Sequence, residues 1–102
     1  MGPFNFFQSN PKAAGPYSGG TGKSMEDAIK ISATSSVSGI QAEYAYVEMQ
    51  CGRRDFDWTL ELQTLLEPEG PDGKHYDLLR VKLKDGTLRD FYFDISSFFG
   101  AY

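Results

Sequence analysis

The sequence predicts an α+β domain: one main helix packed on a curved, four-stranded, mostly antiparallel sheet, in the order strand–helix–strand–strand–strand. Three observations predict it. Leu79, Val81 and Leu83 alternate with Arg80, Lys82 and Lys84; past Asp85-Gly86, Phe91, Phe93 and Ile95 alternate with Asp90, Tyr92 and Asp94. Such period-two patterning on both sides of an Asp-Gly pair marks a β-hairpin. Residues 39–51 carry helical spacing instead, with Ile40, Tyr44, Val47 and Cys51 stacked on one face. Trp58, Leu60 and Leu62 alternate with Thr59, Glu61 and Gln63, which adds a further strand.

The hairpin register follows from the side chains. A two-residue loop on Asp85-Gly86 sets Asp90 opposite Val81 and Tyr92 opposite Leu79, which mixes polar and apolar residues on each face. A three-residue loop, Lys84-Asp85-Gly86, with Gly86 in the left-handed region, sets Phe91 opposite Leu79 and Asp90 opposite Arg80. The apolar residues then share one face and the charged pairs the other. A slip of one residue would turn every side chain over, so the three-residue loop is the reading.

The other elements follow in chain order. Residues 1–23 read as a flexible tail, because Gln8 to Lys23 holds Gly, Pro, Ser, Asn and Ala without apolar periodicity. Phe4, Phe6 and Phe7 stand out in it, as a cap on the fold, a docking element or a membrane contact. With no basic residue beside them, protein is the better partner of the two, and a disordered aromatic end without a role is the commonest fate of such a segment. Residues 24–102 form the single α+β domain. Ser24 with Asp27 starts one helical turn, and Ala28 to Ser32 alternates as a short strand. Ser38 and Gln41 form a capping-box pair and Gly52 a stop, which bounds the helix at Gly39 to Cys51. Glu67 to Lys74, with two prolines and two glycines, is a long hairpin loop. Phe98 and Phe99 fold back over the core. One helix on such a sheet is similar to the cystatin or monellin arrangement.

Composition narrows the function classes. A chain of 102 residues with 40% hydrophobic and 15% aromatic content is globular, and no apolar run reaches the roughly 20 residues of a membrane span. No signal peptide or myristoylation pattern is legible. Cys51 is alone, so no internal disulfide forms, and a reducing cytoplasm is the expected location. Residues 25–102 carry 14 acids against 8 bases, net −6, a field that repels nucleic acid. Arg80, Lys82 and Lys84 with Tyr92 nearby resemble an RNA-binding strand face, but Asp90 and Asp94 compensate them across the hairpin.

No catalytic constellation, metal site or cofactor motif is legible. Ser18-Gly19-Gly20-Thr21-Gly22-Lys23-Ser24 approaches a phosphate-binding loop, but Tyr17 stands where the pattern needs its first Gly, and neither flank supplies the strand and long helix. His75 reads as a solvated loop histidine, Cys51 as a small hydrophobe, and the acids are too scattered for calcium.

Two groups of residues are candidates. Ala42, Tyr46 and Met49 lie opposite the sheet-facing stripe of the helix and, extended by Phe98 and Phe99, make an apolar surface for an unknown protein partner or a homodimer. Alternatively the chain's own aromatic ends cover that stripe. The second group, His75, Tyr76, Asp77, Tyr92 and Asp94, gathers at one end of the hairpin as polar lining for a ligand.

The chain also resembles a family of small bacterial α+β proteins of no established function. The likeness lies in Ser24-Met25-Glu26-Asp27-Ala28-Ile29-Lys30-Ile31, Gly39-Ile40-Gln41-Ala42-Glu43-Tyr44, His75-Tyr76-Asp77-Leu78-Leu79 and Tyr92-Phe93-Asp94-Ile95-Ser96-Ser97-Phe98-Phe99-Gly100. It implies that residues 24–100 form one unit and that the front end is dispensable, and it transfers no mechanism. The expectation is a non-enzymatic, cytoplasmic protein-interaction module, with a ligand site near Tyr76 and Asp94 as the alternative and RNA binding on the outer sheet face as a distant third.

Overall fold

The computed structural model describes residues 15–66 and 73–100. Strands β1 (Tyr17–Gly19) and β2 (Ile29–Ile31) flank a short 3-10 turn, Met25–Asp27. The 16-residue helix α1 (Ser36–Cys51) follows, then β3 (Trp58–Leu66), β4 (Tyr76–Leu83) and β5 (Leu88–Asp94). All five strands form one sheet in the order β1-β2-β5-β4-β3. Three pairings are antiparallel and one, β2 with β5, is parallel. Among the described residues the fold is therefore α+β, one α-helix on one sheet, but the sheet has five strands and mixed pairing rather than four strands in the expected meander. β2 docks on the edge that β5 leaves free, with Ile29 beside Phe93.

The hairpin has the expected register. Leu79 pairs with Phe91, Arg80 with Asp90 and Tyr76 with Asp94. Gly86 takes a φ of +88°, a region that favours glycine, and its N–H donates to the Leu83 carbonyl at 2.9 Å. The Asp85 carboxylate accepts from the Thr87 N–H at 2.9 Å, which closes the loop. On the outer face Arg80 grips Asp90 with two hydrogen bonds, at 2.7 and 3.0 Å.

The helix starts three residues earlier than its expected capping box. Ser35 is the cap, its side-chain oxygen accepting from the Ser38 N–H at 3.2 Å. Gly52 ends it as expected, its N–H donating to the Glu48 carbonyl at 2.9 Å. The sheet-facing side also differs. Gly39, Glu43 and Val47 are buried, whereas Ile40 is exposed and Tyr44 only partly covered. Phe98 sets this rotation, because its ring lies 2.4 Å from where a Cβ on Gly39 would stand. Only a glycine lets the ring come so close, and the helix turns that side inward.

The core holds Ile29, Ile31, Val47, Trp58, Leu79, Val81, Phe91, Phe93, Ile95 and Phe98. The Trp58 indole N–H donates to the Gly52 carbonyl at 2.8 Å, tying the start of β3 to the end of the helix. The supposed tail enters the fold earlier than residue 24. The Tyr17 hydroxyl donates to the Ala42 carbonyl at 2.7 Å, and the Gly22 carbonyl accepts from the Tyr92 N–H at 2.8 Å. Phe4, Phe6 and Phe7 lie outside the described residues.

Candidate functional site

The inner face of the sheet contains an acid where the pattern leads one to expect a hydrophobe. Asp77 begins the series Asp77, Leu79, Val81 on β4, opposite Phe93 of β5, and it is 7% exposed. Above it α1 presents Glu43, one turn after Gly39 and one turn before Val47, with no exposure at all. Neither Glu43 carboxyl oxygen accepts a hydrogen bond from any described donor. Burial first, then the charge of Asp77, pushes the Glu43 carboxyl up to about 9. Asp77 is also pushed up by burial, against the hydrogen bonds of Glu43 and Gln63, which favour its charged form. Two acceptor-only carboxylates cannot satisfy one another, but a shared proton resolves the conflict. Burial therefore favours a proton held on Glu43, the more deeply buried of the two acids, beside Asp77.

Gln63 reaches this pair because of a β-bulge. Trp58 and Leu60 pair with Leu83 and Val81, both on the inner face, and after the shift between Leu60 and Leu62 the partner of Leu62 is Arg80, on the outer face. Glu61 is the extra residue, and it reverses the alternation of β3. Gln63 and Leu65 are thereby turned to the helix side, opposite Leu79 and Asp77. Gln63 accepts from the Tyr44 hydroxyl at 2.9 Å, an exposed link from α1 to β3 beside the carboxyl pair. The Arg54 guanidinium lies 4.8 Å from the centre of the Tyr44 ring. The site thus consists of two acids, an amide and a phenol, which can hold or exchange a proton and offer acceptors to a cation. Among the described residues no group of three His, Cys, Asp or Glu side chains is placed to hold a metal ion.

The structure distributes the candidates of the sequence differently. Tyr46 is not part of an exposed stripe: its ring packs edge-on against Tyr17 at 5.1 Å and Phe93 at 5.9 Å. Ala42 is packed against the core and Phe98 is buried in it. Met49 and Phe99 are exposed, but Met49 lies about 15 Å along the helix from Gly39, where Phe98 packs. The surface Ala42–Tyr46–Met49–Phe98–Phe99 is therefore not continuous. Among the described residues it is β1 and the sheet that pack on Tyr46, while Phe4, Phe6 and Phe7, one of the two covers foreseen for this stripe, lie outside them.

The second group is split by strand alternation. Asp77 faces the helix, while Tyr76, Tyr92 and Asp94 lie on the outer face. His75 stacks on Phe99 with ring centres 3.8 Å apart. Tyr76 and Asp94 do come together, in an open cleft of about 540 Å³ that Gly19, Gly20, Met25 and Lys30 also line. One Asp94 carboxyl oxygen there accepts from the Ser96 N–H at 3.0 Å.

Glu43, Gln63 and Tyr44 went unread as site residues in the sequence. Glu43 sits in a polar seam of the helix, and only its spacing from Gly39 and Val47 gives a signal of its burial. No local pattern announces the bulge at Glu61. No helix among the described residues is long and apolar enough to cross a membrane. Comparison with protein-family models, curated proteins and solved structures finds no match to this chain, so the bacterial resemblance rests on its four stretches alone.

Proposed function

We propose that this domain is a non-enzymatic interaction module that docks an extended, basic segment of a partner protein along the free edge of β3. The observation that carries the reading is the edge itself. β3 is nine residues long, comes last in the strand order among the described residues, and exposes Leu62 and Leu65 at 41% and 40% on opposite faces. A long open edge presents unpaired backbone donors and acceptors to an added strand, and alternate side chains of that strand find one leucine on each face. Charge selects the occupant. Glu61 stands in the edge and the carboxyl pair lies behind it, in a chain of net charge −4, so a basic segment is favoured over a second copy of this acidic chain.

Panning a library of random displayed decapeptides against the full chain and against a Leu62→Lys/Leu65→Lys variant tests the reading. The expected result is enrichment of alternating apolar sequences with at least one Arg or Lys, lost on the variant. A selected peptide then slows amide exchange in residues 58–66. No enrichment, slowed exchange confined to another element, or a dimer that occupies the edge would each overturn it.

The outer cleft supports a second reading, a small polar ligand held between Tyr76 and Asp94. Tyr76→Ala and Asp94→Asn variants that bind a fragment library as the native chain does would dispose of that reading.

A further inference from the structure

We propose that Glu43 and Asp77 form a recognition site for one organic cation, a guanidinium or ammonium group, entered by parting the Tyr44–Gln63 hydrogen bond. The source of the cation, a basic side chain of the docked segment, rests on the edge-docking reading; the site itself does not.

Three observations lead to it. Glu43 is wholly buried, yet both of its carboxyl oxygens lack a donor. An acid left in this state is unfavourable unless it is protonated or meets a donor-rich group. Asp77, from the facing strand, adds a second set of acceptors. Beside Glu43 in the chain, Tyr44 on α1 donates to Gln63 on β3 at 2.9 Å, an exposed bond that ties the helix to the strand that comes last in the order among the described residues. Such a bond at the solvent boundary contributes only about 1 kcal/mol net, so thermal opening is frequent. Ile40 and Leu65, each about two-fifths exposed, stand one turn before Glu43 and opposite Asp77 respectively. They give apolar flanks to a side chain whose stem is aliphatic and whose end is charged.

An entering cation replaces the shared proton. A guanidinium carries its donors in a planar fork that suits two carboxylates. As it binds, Glu43 gives its proton to solvent, and the cation's charge and donors stand against the carboxylates in place of that proton. The groups that act electrostatically on this step are Asp77 from β4 and Tyr44 on α1, with Arg54 acting on Tyr44. Binding therefore releases up to one proton at neutral pH and tightens as pH rises from 6 toward 9.

Butylguanidinium and butylammonium serve as free probes, and a peptide selected on the β3 edge, with its Arg intact or replaced by norleucine, serves as the tethered one. Carbon-13 NMR of the Glu and Asp carboxyls reads site and protonation together. The expected result is a shift at Glu43 and Asp77 on titration with butylguanidinium, proton release measured in two buffers of different ionisation enthalpy, and at least tenfold weaker binding by Glu43→Gln and by Asp77→Asn. Both variants keep the side-chain shape, so their folded spectra show that a loss is local. Free probes that bind while no peptide docks leave the site standing and refute edge docking. Peptides that dock equally well with Arg or norleucine, with no carboxyl shift from either free probe, refute the cation site and leave edge docking standing.

Discussion

The two flanks of the sheet's inner face are built on different terms. Beneath the middle of α1, β2 and β5 present Ile29, Ile31, Phe91 and Phe93 to Val47 and to the Tyr46 ring, and the first five are all but inaccessible to water. On the flank of β4 and the far half of β3, the same helix sets Glu43 against Asp77, and Leu65 stays open. The first flank gains about 1.5–3 kcal/mol for each apolar side chain it buries. The second holds an acid whose burial costs stability at neutral pH. The stability of the domain is therefore concentrated away from the carboxyl pair, and that surplus allows the pair to persist. Polar groups at odds with their surroundings are where functional sites are found.

The largest effect that would test this contrast comes from two truncations. Phe93→Ala is predicted to cost about 3–5 kcal/mol in urea unfolding, since it empties a fully buried position between Tyr46 and the sheet. Leu65→Ala is predicted to stay within about 0.5 kcal/mol, as surface substitutions do. Equal costs at the two positions would mean that both flanks are core and that no free edge exists.

Glu43→Gln comes next and runs in the opposite direction. Below pH 4.5, the ordinary value, the Glu43 carboxyl is protonated in both folded and unfolded chains and has no effect on stability. Above it the unfolded chain releases a proton that the native chain keeps, up to about pH 9. Stability then falls by about 1.4 kcal/mol per pH unit across that window. Asp77, pushed the same way, adds to the slope at its acid end. An amide at position 43 supplies a donor beside Asp77 and has no proton to lose. The variant is predicted to be roughly 2–4 kcal/mol more stable than the native chain near pH 7, and little different at pH 4.5. Parallel stability curves for the two proteins between pH 5 and 9 would show that Glu43 does not hold a proton in the fold.

Gly39→Ala probes the join between the flanks. Alanine favours the helix over glycine by about 1 kcal/mol. Its methyl, however, meets the Phe98 ring, which is 2% exposed and has little room to retreat. Overpacking of this kind costs about 1–3 kcal/mol, so a net loss of about 1 kcal/mol is predicted. A gain in stability would mean that Phe98 is not what rotates the helix.

The packed flank was also the more legible one in the sequence. Asp85-Gly86 and the alternation around it specify a register that only one loop length satisfies, and Arg80–Asp90 and Tyr76–Asp94 pair accordingly. Ile29 and Ile31 announce β2 in the same way. β1 has no such pattern, because Tyr17-Ser18-Gly19 is a strand only through its pairing with β2. The carboxyl flank depends on contacts between distant residues. Asp77 was picked out among the candidates, but grouped with His75 and Tyr76, its chain neighbours, when alternation sends Tyr76 to the other face. A glutamate in a helix ordinarily lies in solvent, and what buries Glu43 is a rotation set by Gly39 and Phe98, residues that look unrelated in sequence. Gln63 depends on one extra residue in β3, and the sequence Leu60-Glu61-Leu62 reads as plain alternation.

The smallest effect sharpens the comparison most. Tyr44→Phe removes one hydroxyl that donates to Gln63 at the solvent boundary, with predicted loss of about 0.5–1 kcal/mol. Its influence on Glu43 is predicted to be larger than that cost suggests, because the hydroxyl ties the helix to β3 at the residue next to the buried acid. Without it water reaches Glu43 more often, desolvation weakens, and the Glu43 carboxyl titrates below about 9, toward its ordinary range. A carbon-13 titration of Glu43 in the two proteins checks this. An unchanged titration would mean that the Tyr44–Gln63 bond does not control access, and that Glu43 is sealed by packing in the same manner as the flank of Phe91 and Phe93.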